Sequence, residues 1–110
     1  MKRVQAVIRP DRFDQLQHAL VGSGFSGFMV HDVRSHGQNE ASPSGEWRGV
    51  PYAMSVKHKL LIDILVGDDE VVALTKVIKD AAGTGKPGDG LIFVIDVASV
   101  IPIGAAESSA

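Results

Sequence analysis

Thr84 to Phe93 reads T-G-K-P-G-D-G-L-I-F, and what flanks this stretch decides the fold. Gly85, Gly88 and Gly90 share seven residues with Lys86, Pro87 and Asp89 before an apolar run begins at Leu91. Glycines at this density let the backbone enter φ > 0 and let N–H groups approach an anion without hindrance from side chains. The pattern G-x-G-x-x-G is matched by Gly83, Gly85 and Gly88, yet a dinucleotide fingerprint follows a strand and opens a helix. Here the order is inverted, with helical periodicity over 69–82 and a strand pattern over 91–96. Nor does a Ser or Thr follow Lys86, as a P-loop requires. Two readings stay open: an anion cradle, or a helix C-cap at Gly83 followed by a tight turn with no ligand.

Working outward, Val71, Leu74, Val77, Ile78 and Ala81 form one apolar stripe ahead of the turn. Asp68 and Asp69 stand where that helix would be capped. Lys59 to Val66 before it, and Leu91 to Val97 after it, read as strands apolar on both faces. Val4, Ala6 and Ile8 alternate with polar neighbours in a first strand ended by Pro10. Asp11 can cap a helix with Phe13, Leu16 and Leu20 on one side, closed by Gly22 to Gly24, and Phe28 to Arg34 reads as the second strand. A short last strand is expected over Val100 to Ile103, then a frayed tail over 104–110.

The resulting order is βαββαβ, an α+β ferredoxin-like sandwich forming one domain over 1–110. A long polar, turn-rich loop over 35–56 separates strands two and three and is expected to be mobile without ligand. It carries Trp47, Arg48 and Tyr52, suited to contacting a partner. Two helices cover one face of a four-stranded sheet, so the apolar residues on the other face call for association into a closed oligomer.

The chain's 110 residues carry a formal net charge of −2 with no Lys/Arg run, which argues against nucleic acid. There is no cysteine, so thiol catalysis, disulfides and thiolate metal sites are excluded. His18, His31, His36 and His58 lack ligand spacing, and no metal site is expected. No nucleophile and base pair stands out, which points away from an enzyme. The first ten residues are broken by Gln5, Arg9 and Pro10 and make no secretory segment; no apolar stretch spans a bilayer, so cytoplasm is the expected compartment.

A-V-I-R-P at Ala6 to Pro10, R-G-V-P-Y at Arg48 to Tyr52 and T-G-K-P-G-D-G-L-I-F-V resemble the PII signal-transduction proteins. The resemblance implies a homotrimer with adenine nucleotide held in clefts between subunits, regulating a target protein, a transporter or an enzyme, through the long loop. Carried over by position, Val7, Met29, Asp63 and Leu65 would line the base and ribose. Gly37, Gln38, Lys86, Pro87, Gly88, Asp89 and Gly90 would line the phosphates. The basic residues usual in the family are missing, with Leu91, Pro102, Gly104 and Gln38 in their places, so ADP or AMP is expected to be favoured over ATP. Arg9, Asn39 and Lys59 occupy the places of the family's 2-oxoglutarate ligands and are candidates for a smaller anion. Divergent PII-like proteins are tied to inorganic carbon, in carboxysome or bicarbonate-transport settings, and these departures suit bicarbonate. The alternatives are a conventional nitrogen sensor of ATP, ADP and 2-oxoglutarate, and a trimeric scaffold without ligand. Tyr52 matches a tyrosine that some family members modify.

Overall fold

The computed structural model describes residues 1–36, 44–47, 50–53 and 56–104, with backbone alone for 44–47 and 50–53. Strand β1 runs Lys2–Ile8, helix α1 Phe13–Gly22 and strand β2 Met29–His36. Two short strands, β3 at Ser44–Trp47 and β4 at Val50–Ala53, precede strand β5 at Val56–Val66, helix α2 at Val71–Ala82 and strand β6 at Gly90–Asp96. The main sheet is antiparallel in the order β2-β5-β1-β6. With both helices against one face, this is the ferredoxin-like arrangement.

The covered face follows from the period-two pattern of β1, which buries Val4, Ala6 and Ile8. In register beside them, Ile62 and Ile64 of β5 are buried as well. Leu16 and Leu20 of α1, and Leu74, Ile78 and Ala82 of α2, fall on the stripes that close over them. Phe13 meets Phe28 edge-on, with centroids 6.5 Å apart, at the margin of this core.

Among the described residues no helix covers the opposite face. Its central row is polar at one point: Asp63 of β5 lies between Gln5 and Met29 in the ladder, with Arg3 one step along the same face. Arg3 Nε donates to both Asp63 oxygens at 3.0 Å, Arg3 Nη2 donates to Oδ2 at 2.6 Å, and Gln5 Nε2 reaches Oδ2 at 3.3 Å. The Asp63 side chain is 1% exposed, so an unpaired carboxylate there would be costly. The Arg3 guanidinium, aided by Gln5, holds its pKa below the usual carboxylate range despite that burial. At the edge, Leu91 of β6 is 60% exposed, and Phe93 and Ile95 are also open to solvent.

Several sequence expectations are corrected. The stretch 35–56 is not one loop: β2 continues to His36 and β5 begins at Val56, so Ser35 pairs with Lys57 and His36 with Val56. Within the stretch, β3 pairs with β4, Ser44 opposite Ala53 and Trp47 opposite Val50. The polar, turn-rich sequence there carries no period-two apolar signal, which is why it concealed these strands. Val100 to Ile103 forms no strand. Pro102 has no N–H to donate to a ladder, which interrupts any pairing of this segment, and β1 is already paired on both sides. Each helix is entered through a turn of 3-10 helix, Pro10–Arg12 and Asp68–Glu70, without an aspartate side-chain cap. Gly67 N–H donates instead to Glu70 Oε1 at 3.1 Å, and Asp68 takes the amino-terminal ammonium. Residues 105–110 of the expected tail lie outside the described residues.

Candidate functional site: the glycine turn and its groove

Helix α2 ends at Ala82, and Gly83 N–H closes its last turn on Lys79 O at 3.0 Å. Arg12 Nη2 then donates to Gly83 O at 3.2 Å, fastening this helix end to the start of α1. Beyond it the chain makes the sharp reversal to β6 with Gly85, Gly88 and Gly90 all at positive φ. At Gly90 a side chain is impossible without rearrangement, since a Cβ would lie 1.7 Å from Val7 O.

Asp89 organises the turn from within. Its carboxylate accepts from Thr84 N–H at 2.7 Å, from Gly85 N–H at 2.9 Å and from the Thr84 hydroxyl. Arg9 Nε adds a bond at 3.0 Å. The two Thr84 donors, followed by Arg9 and Gly85 N–H, drive the Asp89 pKa far below the ordinary carboxylate value. Thus part of the expected anion cradle is filled by the chain's own carboxylate. Two other cationic contacts fall on carbonyls: Arg9 Nη2 on Pro87 O at 2.9 Å and Lys59 Nζ on Gly88 O at 2.5 Å. Among the described residues nothing accepts from the N–H groups of Gly88 and Asp89.

Beside the turn lies a groove of about 380 Å³. Val7, Ile8, Ile78, Ala82, Leu91 and Ile92 supply its apolar wall, while Lys79, Gly83, Asp89 and Gly90 complete it. Of the expected site residues, Val7, Asp89 and Gly90 therefore meet here, with Lys86 and Pro87 exposed on the turn. Met29, Asp63 and Leu65 do not. Leu65 is opposite Arg3 on β1, whereas Gly90 is opposite Ile8, a separation of five residues or roughly 16 Å along the strand. Met29 is 57% exposed opposite Asp63 on the uncovered face. Asp63 itself is engaged by Arg3, and Arg9 and Lys59 grip the turn where the sequence suggested free anion ligands. Gly37, Gln38, Asn39 and Arg48 lie outside the described residues, and Trp47 and Tyr52 sit on β3 and β4, where only backbone is described.

Sequence reasoning missed the bond from Arg3 to Asp63, sixty residues apart, and the groove wall from α2. The Thr84 to Asp89 contact is local, and an Asp five residues after a Thr in a glycine turn was a readable signal for it.

Comparison with known proteins settles the lineage. The profile of the family nitrogen regulatory protein P-II matches residues 1–107. The chain belongs to this P-II family. It is 38% identical over 109 residues to the nitrogen regulatory protein P-II of Nostoc punctiforme, covering 99% of this chain and 96% of that one. To nitrogen regulatory protein P-II 1 of Escherichia coli it is 38% identical over 107 residues, covering 97% and 95%. To the P-II protein of Porphyra purpurea it is 37% identical over 103 residues, covering 94% and 91%. P-II proteins are regulatory, signal-transducing proteins, and the turn described above lies inside the matched region. No helix among the described residues is long and apolar enough to cross a membrane, and no group of three or more His, Asp or Glu side chains there could hold a metal ion.

Proposed function

We propose that this P-II chain is a ligand-gated regulator, not an enzyme, which binds an adenine nucleotide between copies of itself and prefers ADP or AMP to ATP. The observation that carries this reading is the division of the site. The turn, with two N–H donors that have no acceptor among the described residues, lies at one end of the uncovered face; Asp63 and Met29 lie three residues or roughly 10 Å along the strands from it, and Leu65 roughly 16 Å. A second copy that covered this face would bring its own Met29 end to the turn of the first. Closing such contacts around an axis gives the homotrimer, and exposed Leu91, Phe93 and Ile95 supply apolar surface for it.

The preference follows from charge. Backbone N–H groups can hold one or two phosphates, but a γ-phosphate adds charge that needs cations. Arg9 and Lys59 are committed to the turn itself, and Leu91, Pro102 and Gly104 bring none. Lys86, exposed on the turn, is the available cation nearest in sequence. The same commitments leave little for 2-oxoglutarate, and a smaller anion such as bicarbonate is the better match to the altered carboxylate side. The arm that begins at His36 and returns at Val56 would then dock a target protein in the cytoplasm, a transporter or an enzyme of inorganic-carbon handling.

The conventional reading, a nitrogen sensor of ATP, ADP and 2-oxoglutarate, is favoured by the names of the relatives. Calorimetry with AMP, ADP and ATP, each with and without 2-oxoglutarate or bicarbonate, separates the two. ADP or AMP binding at least as tightly as ATP, without coupling to 2-oxoglutarate, supports the proposal; tighter ATP binding coupled to 2-oxoglutarate overturns it. Leu91→Lys combined with Pro102→Arg and Gly104→Arg should raise ATP affinity selectively, by about tenfold or more if one charge-assisted bond is regained. If neither the unaltered chain nor this variant binds any adenine nucleotide, the protein is a scaffold.

A further inference from the structure

Arg9 and Lys59 reach the glycine turn from β1's end and from β5, and both contacts fall on consecutive backbone carbonyls, those of Pro87 and Gly88. No peptide bond described is cis. In a trans peptide the C=O of one residue and the N–H of the next point in opposite directions from one rigid plane. A cation that pins Pro87 O therefore fixes the direction of Gly88 N–H, and one that pins Gly88 O fixes that of Asp89 N–H. These are the two turn donors for which the described residues offer no acceptor. Hydrogen bonding at the carbonyl also polarises the peptide unit and strengthens its N–H as a donor. Arg9 does more than supply charge: its planar fork spans Pro87 O and Asp89 Oδ1 at once, tying the pinned peptide to the carboxylate that shapes the rest of the turn. Lys59 is 2% exposed, so its ammonium is held at this place by the fold.

We propose that Arg9 and Lys59 are positioning residues which aim and polarise the Gly88 and Asp89 N–H groups at an anion, acting through the peptide planes and not by touching the ligand. The identity of the anion as a nucleotide phosphate rests on the reading under Proposed function.

The test uses the full chain in two arms. In the ligand-free protein, Arg9→Gln should move the Gly88 amide resonance and Lys59→Met that of Asp89, each with little effect on amides of α1; circular dichroism checks that the variants are folded. In the second arm, ADP affinity should fall about tenfold for each variant, the loss expected of one charge-assisted bond. Arg9→Lys, which keeps the charge but cannot span both acceptors, should recover only part of it. Full recovery by Arg9→Lys means the ligand feels the charge itself and overturns the proposal, as do unmoved Gly88 and Asp89 amides. If the unaltered chain binds no adenine nucleotide, the nucleotide reading falls, and the amide arm alone then decides whether the two cations set the turn.

Discussion

The two faces of the main sheet differ in what one chain can finish. On the covered face Val4, Ala6, Ile62 and Leu16 are essentially sealed from solvent, and every neighbour they need belongs to the same chain. On the other face the buried carboxylate of Asp63, paired with the half-exposed Arg3, sits near β6, whose Leu91 and Phe93 are open to water. Apolar exposure of that kind and a carboxylate already desolvated are both poorly suited to a face in bulk water. They suit a face that meets another protein surface. The difference teaches that one face completes the fold within the chain, while the uncovered side, with the glycine turn at its end, is the side the proposed ligand and partner would use.

The largest effect is expected where the two faces join the turn. Gly90→Ala puts a methyl group into Val7 O, so the β1 and β6 pairing must give way; urea unfolding should show a loss on the order of 4 kcal/mol or no folded protein. A loss within about 0.5 kcal/mol would mean that the approach of β6 to β1 is not fixed. Next, Leu16→Ala, fully buried on the covered face, should cost about 2–5 kcal/mol in each chain. Phe93→Asp on the uncovered face should instead leave the isolated fold within about 0.5 kcal/mol while abolishing self-association in sedimentation equilibrium. If Phe93→Asp unfolds the chain and leaves association intact, the comparison of the faces is wrong.

A smaller effect separates the carboxylates. Both Asp63 and Asp89 have folded pKa values below those of the unfolded chain. Each therefore contributes stability that is complete above the ordinary carboxylate value, about 3.9, and is lost as pH falls through the lowered folded value. Unfolding midpoints measured from neutral pH downward should be flat until about pH 5 and then decline. Asp63→Asn should cost about 1–2 kcal/mol at neutral pH, discounted because Arg3 is 45% exposed. It should also shrink the acid decline, as should Asp89→Asn; unchanged acid profiles would show that these two groups do not control it. The smallest effect is expected at Val72, 80% exposed on α2, where Val72→Ala should stay within about 0.5 kcal/mol.

The covered face was legible in the sequence because its signals are local and periodic: Val4, Ala6 and Ile8 at period two, Leu74 and Ile78 at helical spacing. The glycine turn was legible because few backbone conformations demand that composition. Partners far apart in the chain were not, as with Arg3 and Asp63, since pairing depends on the register of β1 against β5. Val100 to Ile103 looked like a strand by composition, but composition does not reveal whether a segment finds a pairing partner. The sequence singled out Arg9 and Lys59 as anion candidates, and only the geometry shows that they bind the turn's own carbonyls and, for Arg9, Asp89.

The claim that the cleft is shared between copies is tested most directly by subunit mixing. Asp89→Lys would damage the turn half and Met29→Lys the strand half, so each variant alone should bind no ADP. Unfolded together and refolded, the two should form mixed oligomers in which some clefts join an intact turn from one copy to an intact strand end from another, and ADP binding should return in calorimetry. If mixing restores nothing although mixed oligomers are present by mass spectrometry, the cleft lies within one chain and the account is contradicted.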